Sequence, residues 1–412
     1  MKQKQFRSSQ IKQLSKNIFT FVQKGRVILF NRITFQQKYL EDASFAEIKK
    51  IAKEMERETP KIRFSLPQTK KFRIEITFNC NLNCDYCLVF KNNLVQLNNS
   101  MNENTARKTI AFYKKNIRKG SLMITGGEPL TNWPVVKLFI SKIKDPIKIF
   151  TNGTIISRDI IRTLKENRNV QLIISLDGRR AENIMRKFSN GKEVFPLVIK
   201  NLKRLRQQSC NLGIACLYTN KNVDKLYETV KFFTRELGIR FLGISFPHYI
   251  AKNLNNEINS DIKKYTEAMI KIFDFALKNN IYIDQLAKRF SPLINGRFRF
   301  YACKLVGEQK TFYPNGDQTL CTKIDSLKNR KKYDLRYFEN KIPINNKFCQ
   351  KCPAIGICGG GCFWDGIMRF RNGVDERECI LNNNLLDYFL WKIYFAYKNG
   401  ENLDKKFHSL IL

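Results

Sequence analysis

The sequence predicts an α/β protein: a partial, TIM-like (β/α)6 barrel with a small N-terminal α/β lead-in and a C-terminal cysteine-rich domain. Three observations carry this reading. Apolar runs of strand length alternate with amphipathic helical stretches from Phe72 to Phe246, the pattern of a parallel sheet covered by helices. Polar and glycine motifs recur just after those strands, at Cys80, Gly126, Asn152 and Asp177. Beyond Cys303 the alternation gives way to turn-rich sequence dense in cysteine, as in a domain stapled by metal rather than by a large core.

The expected domains are a lead-in at 1–70, the barrel at 71–250, a helical bridge at 251–300, the cysteine-rich domain at 301–385 and a C-terminal helix and tail at 386–412. In the lead-in, Ile11, Leu14, Ile18 and Phe21 fall at helical spacing and Gly25 stands where a helix would stop. Val27–Phe30 reads as a short strand. Ser44-Phe45-Ala46-Glu47 has the form of a capping box. It opens a helix with Phe45, Ile48, Ile51 and Met55 on one face, and Pro60 ends it. A segment of this size suits either peptide docking or packing against the barrel.

The barrel strands are expected at Phe72–Phe78, Leu122–Thr125, Ile147–Phe150, Val170–Ser175, Ile214–Tyr218 and Phe241–Phe246. Helices fall near 103–118, 132–142, 157–167, 192–208 and 223–237. Active sites of such sheets lie at the C-terminal ends of the strands, where the motifs fall. In the bridge, Ile262, Tyr265, Met269, Ile272 and Phe273 share a helical face, and Leu385–Tyr397 reads as a final amphipathic helix.

Composition narrows the function. No apolar run approaches the ~20 residues of a membrane span, and the basic N-terminus lacks a signal core, so a cytoplasmic protein is expected. Twelve cysteines in such a chain point to metal ligands rather than disulfides. Only two histidines, His248 and His408, are present, a poor basis for histidine acid–base or zinc chemistry. The net charge of +38 suits an acidic partner, with an acidic peptide preferred; for nucleic acid, basicity is the only support. A solvated basic surface explains the same charge.

Cys80, Cys84 and Cys87 form a C-x3-C-x2-C loop after the first strand. Zinc would want a fourth Cys or His nearby, and Leu88–Leu94 offers neither. A four-iron cluster held by three thiolates keeps one open iron. Gly126-Gly127-Glu128-Pro129 follows the second strand; its glycines permit close backbone approach to a ligand, and its carboxylate and carbonyls suit an amine. Asn152 and Ser175 end the next strands, where their side chains can hydrogen-bond hydroxyls or a carboxylate. Turn formation explains Asn152-Gly153 and Asp177-Gly178 equally. Seven further cysteines follow: Cys303, then Gly316 and Cys321, then Cys349-x2-Cys352-x5-Cys358-x3-Cys362, then Cys379. Cys210 and Cys216 read as small buried hydrophobes.

The three-cysteine loop, with aromatic Tyr86 before its last thiol, resembles the signature of the radical S-adenosylmethionine (SAM) superfamily, and the later cysteines resemble its SPASM domain. Together the resemblance covers roughly residues 70–385. It implies SAM and three [4Fe-4S] clusters as cofactors, with Cys80, Cys84 and Cys87 as the catalytic cluster's ligands. It further implies that Gly126, Gly127, Glu128 and Pro129 hold the amino group of SAM. Asn152, Ser175 and Asp177 would complete the pocket, and Arg186 would bind a carboxylate. Cys349, Cys352, Cys358 and Cys379 would surround an outer auxiliary cluster. Cys303, Cys321 and Cys362 would surround an inner one that lacks an obvious fourth cysteine. The partners implied are a peptide, expected to be a leader-bearing precursor, and a reductant such as a flavodoxin or ferredoxin. The expected activity is peptide maturation to a crosslink, thioether or epimer. A sulfatase-type maturase forming formylglycine is the alternative, although Thr322 follows Cys321 where that group carries an Asp base. A cluster-bearing electron-transfer protein without SAM chemistry is the third reading.

Overall fold

A computed structural model describes residues 9–87, 100–117, 119–248, 261–325, 330–370 and 373–407. The first residues of the expected bridge (251–260) and the end of the tail (408–412) lie outside them, as does His408. The chain divides into two compact units. One comprises Met1–Ser65, Ile262–Cys303 and Arg336–Leu412; the other comprises Leu66–Asp261 and Lys304–Leu335.

The first unit begins with an antiparallel sheet in the order β1 (Gln10–Gln13), β2 (Ile18–Gln23), β3 (Arg26–Asn31), β4 (Gln37–Glu41). The expected helix over residues 11–21 is therefore not formed. Ile18-Phe19-Thr20-Phe21-Val22 is rich in β-branched and aromatic residues. Lys24 and Gly25 both have positive φ, 50° and 76°, and Gln23 pairs with Arg26. That is the two-residue hairpin turn whose twist matches paired strands, so Gly25 closes a hairpin rather than stopping a helix. Helix α1 (Phe45–Arg57) starts where the capping box places it: the Ser44 hydroxyl accepts from Glu47 N at 3.2 Å. Its Ala52 and Met55 pack on Ile18 and Leu29. Phe45 instead stays exposed, beneath the ammonium groups of Lys12 and Lys49.

The barrel lies in the second unit. Its six parallel strands are β5 (Lys71–Thr77), β6 (Ser121–Gly126), β7 (Ile147–Thr151), β8 (Val170–Ser175), β9 (Leu212–Leu217) and β10 (Phe241–Ser245). Between them run α2 (Glu103–Asn116), α3 (Trp133–Lys142), α4 (Arg158–Glu166), α5 (Phe195–Gln207) and α6 (Leu226–Lys231), the last continuing as a π-helical turn over Phe232–Glu236. Neighbouring strands follow chain order from β10 to β5. On β5, Phe72, Ile74 and Ile76 are fully buried.

The sheet continues past β5 with a strand from the cysteine-rich region. β11 (Gln309–Phe312) pairs parallel to β5, and β12 (Gln318–Thr319) pairs back on β11. Phe312 brings the apolar area that holds it there: its ring lies 5.1 Å from Phe72 and 5.6 Å from Phe112. The expected 301–385 domain is thus shared between the two units.

The remainder of the first unit is helical. α7 (Ile262–Asn279), α8 (Asp284–Asn295) and α9 (Glu376–Lys398) meet through Phe273, Phe290 and Phe389, with ring centroids 4.8–5.2 Å apart. The final helix starts nine residues before Leu385, capped by Asp375, so Cys379 sits in its first turn. The lead-in joins this unit through Tyr39, which packs on Tyr394 and Tyr397 at 5.2 Å. No helix among the described residues is long and apolar enough to cross a membrane.

Phe312→Ala is expected to destabilise the barrel unit by about 3–5 kcal/mol, read as an earlier urea transition of that unit; an unchanged transition would mean that β11 is not part of its core.

Candidate active site and metal centres

The strand ends of the barrel converge on the loop that carries Cys80, Cys84 and Cys87. The turn after β6 closes on the end of β5: Gly127 N donates to Thr77 O at 2.7 Å and Glu128 N to Asn79 O at 2.8 Å. A Cβ at Gly126 would lie 2.1 Å from Thr77 O, and one at Gly127 2.3 Å from Asn79 O. The glycines thus let two backbone segments touch, a role the sequence had assigned to ligand approach. Pro129 and Leu130 are buried behind the turn.

Glu128 is fully buried. Its Oε1 accepts from Thr151 Oγ1 at 2.7 Å and Leu130 N at 3.1 Å, and its Oε2 accepts from Asn152 N at 2.6 Å. This carboxylate ties β6 to the end of β7 and keeps one acceptor position on Oε2. Burial, opposed by these three donors, raises its pKa to about 7. The Asn152 amide donates to Asn81 Oδ1 at 2.9 Å and lies 3.8 Å from Cys80 Sγ, and Asn81 donates to Thr154 Oγ1 at 2.9 Å. Asn81 and Thr154 were not singled out in the sequence. Ser175 is half-buried at the end of β8, its hydroxyl without a hydrogen bond among the described residues.

On its other side the loop is clamped to residues 183–188. Asn83 N donates to Lys187 O at 2.8 Å, Asp85 N to Met185 O at 3.1 Å, and Lys187 pairs with Asp85 at 2.7 Å. Beneath it lies a buried triad. Arg186 donates through Nε and Nη2 to the two oxygens of Asp177, at 2.8 and 3.0 Å. The Tyr86 hydroxyl donates to the same carboxylate, and the Arg186 guanidinium lies 5.3 Å from the Tyr86 ring centre. Leu217 N gives Asp177 a further hydrogen bond at 2.8 Å. Burial opposes the charge on Arg186, but Asp177 holds its pKa well above the ordinary value. The sequence reading gave Arg186 a ligand carboxylate; the structure gives it one from its own chain. Asp177 and Tyr86 are likewise occupied in holding the loop.

Burial pushes the Cys80 thiol up to about 12 and the Cys84 thiol up to about 11. Both are neutral in the metal-free chain, and a metal would displace their protons. Three half-buried sulfurs on one short loop, with a backbone N–H on Cys80 Sγ from Leu82 at 3.4 Å, fit a cluster that takes three protein ligands.

A second sulfur group lies in the first unit. Cys349 and Cys379 share an apolar cluster with Ile355 and Val374; Cys352 and Cys349 lie near enough to Cys379, and Cys352 and Cys379 near enough to Cys358, to add to the burial that raises those thiols' pKa. Cys358 Sγ accepts from Gly360 N at 3.3 Å, one of the amides the Gly359-Gly360-Gly361 turn exposes; all three glycines have positive φ. Arg32, almost fully buried, donates to Gln350 O at 2.7 Å and Cys352 O at 3.2 Å, a link invisible to local pattern. These four thiols fit a second cluster. Of the remaining three, Cys303 and Cys362 belong to this unit and Cys321 to the barrel unit. Cys216 is buried in β9, as expected, and Cys210 is half-buried.

A parallel partial barrel with a three-thiol loop at the end of its first strand has the donor set for an iron–sulfur cluster with one open iron. Residues 74–233 match the Radical SAM superfamily, so the barrel carries a radical SAM domain. The chain is 24% identical over 340 residues to the radical SAM cyclopropyl synthase TigE of Paramaledivibacter caminithermalis, covering 72% of this chain and 68% of that protein. It is 26% identical over 341 residues to a cysteine-type anaerobic sulfatase-maturating enzyme of Clostridium novyi, covering 72% and 88%. Its fold matches that of native anSMEcpe with bound AdoMet and Cp18Cys peptide, with a TM-score of 0.62 at 18% identity, over 81% of this chain and all of that one.

Two measurements check the site. Asp177→Ala is expected to cost about 3–5 kcal/mol, because it strands Arg186 as a buried charge, and to lower iron bound at the three-cysteine loop. Tyr86→Phe, which removes only a hydroxyl, is expected to cost about 1–2 kcal/mol; equal effects in thermal denaturation would refute the triad. For Glu128 the folded pKa lies above its ordinary 4.5, so its contribution is whole below that value and is lost as pH rises through 7. Metal-free wild type is therefore expected to lose about 2–3 kcal/mol against Glu128→Gln between pH 5 and 8, read from paired urea titrations; parallel profiles would contradict the buried acid.

Proposed function

We propose that the chain matures a ribosomally made peptide, abstracting hydrogen from one residue to leave a crosslink, thioether or epimer. When bound, a [4Fe-4S] cluster supplies one electron to the sulfonium of SAM, releasing methionine and the 5′-deoxyadenosyl radical that takes the hydrogen atom. Cys80, Cys84 and Cys87 hold that cluster in this reading. The backbone at Gly126–Pro129 and the spare acceptor on Glu128 receive the ammonium of SAM, and Asn152 and Ser175 receive its hydroxyls or carboxylate. Asp177, Arg186 and Tyr86 position the loop. Cys349, Cys352, Cys358 and Cys379 hold an outer auxiliary cluster. The substrate carries a leader held by the basic chain, and a flavodoxin or ferredoxin supplies the electron.

The observation that carries the proposal is the three-thiol loop beside the Glu128–Asn152 junction, in a chain similar along most of its length to TigE. The peptide in the anSMEcpe structure supports a peptide substrate. Formylglycine formation is a second reading, favoured by the similarity that spans 88% of the Clostridium novyi enzyme. The two part at the base. Thr322 is buried after Cys321, and the first carboxylate on that segment is Asp325, which accepts from the Tyr313 hydroxyl at 2.8 Å.

Iron-replete protein, reduced with dithionite in the presence of SAM, is expected to release 5′-deoxyadenosine, and Cys80→Ala to reduce this to background. Absence of 5′-deoxyadenosine from iron-replete wild type would leave an electron-transfer protein. Added peptides separate the two readings: a loss of two hydrogens or altered stereochemistry supports the first, and a trapped aldehyde on a sulfatase peptide the second.

A further inference from the structure

In the first unit a line of buried polar groups ends on a single thiol. Asn382 on α9 is fully buried. Its Nδ2 shares two N–H donors among three acceptors, Glu378 O at 2.6 Å, Glu378 Oε2 at 2.8 Å and Cys358 Sγ at 3.5 Å. Its Oδ1 accepts from Arg289 Nε at 2.8 Å, and Arg289 closes the circuit by pairing with Glu378. Arg289 and Glu378 are each less than 10% exposed. The Asn382 amide is thus held from both ends and cannot rotate without breaking a bond to a charged group.

The backbone is shaped to admit this contact. A Cβ at Gly361 would lie 2.7 Å from Glu378 Cγ, and one at Gly359 2.5 Å from Ala302 N. With Gly360 N, Asn382 gives Cys358 two N–H donors. Asn383, the next residue on α9, faces Cys352 in the opposite sense: its Oδ1 accepts from Sγ at 3.7 Å. Arg299 donates to Ile357 O at 3.2 Å, one residue from Cys358. Burial lowers its pKa, but only to about 10, so it stays cationic at neutral pH.

Donors to a ligating sulfur draw negative charge from it and favour the reduced cluster, which raises the reduction potential. We propose that Asn382 is a positioning residue that sets the potential of an iron–sulfur cluster held by Cys349, Cys352, Cys358 and Cys379, by donating to Cys358 while locked by Arg289 and Glu378. The proposal rests on the outer-cluster reading above. Arg289 and Glu378 act through Asn382.

The test is a redox titration of the anaerobically reconstituted full chain, followed by electron paramagnetic resonance, with iron and sulfide counted on each sample. Asn382→Leu is expected to bind as much iron as wild type and to move one midpoint to more negative potential, the others holding. Asn382→Asp keeps an acceptor for Arg289, loses the donor and adds negative charge; it is expected to move the same midpoint the same way. Asn383→Ala is expected to leave all midpoints in place. Unchanged midpoints in an iron-replete Asn382 variant would overturn the proposal. So would loss of the cluster from both variants, which would assign Asn382 a purely structural role. Cys349→Ala/Cys352→Ala tests the underlying reading separately: if it binds as much iron as wild type, the outer cluster is not there.

Discussion

The site is organised around one buried carboxylate. Asp177 takes both arms of Arg186, the hydroxyl of Tyr86 and the amide of Leu217, and so joins β8, β9, the segment before Lys187 and the three-thiol loop at one point. A buried ion pair is weak support for stability, because desolvating two charges offsets their attraction. Here the fork geometry and two further donors satisfy the carboxylate. Its value is positional: the loop between Cys80 and Cys87 has little apolar area of its own and takes its shape from these contacts and from the glycine-permitted approach at Thr77 and Asn79.

The six strand–helix units were legible because each is encoded locally, in apolar runs whose period differs between strand and helix. The failures have specific causes. Ile11, Leu14, Ile18 and Phe21 satisfy a helical spacing, but the β-branched and aromatic run at 18–22 and the Lys24-Gly25 turn outweigh it. β11 was unreadable because Gln309-Lys310-Thr311-Phe312 is short and polar, and becomes a strand only where the edge of β5 awaits it.

The same division runs through the candidate site. The thiols and the Gly-Gly-Glu-Pro turn announce themselves by spacing. Arg186 and Asp177 were noticed, yet their partner was not, since a strand-end charge looks alike whether it meets a ligand or its own chain. Tyr86 and Asp177 are 91 residues apart, beyond any local pattern. Arg32 was missed for the same reason: its carbonyl partners lie more than 300 residues away. That contact also explains why the lead-in, expected as a separate domain, folds with the sulfur-rich segment and the C-terminal helix.

The central claim is that the chain shapes the three-thiol loop before any metal arrives. Amide hydrogen exchange of Asn83 and Asp85 in metal-free protein tests it most directly, since their N–H groups donate to Lys187 O and Met185 O. Protection of both amides in wild type, lost in Arg186→Ala, is the expected result. Exchange of both at unfolded-chain rates in metal-free wild type would contradict the account and make the loop's form a product of the metal.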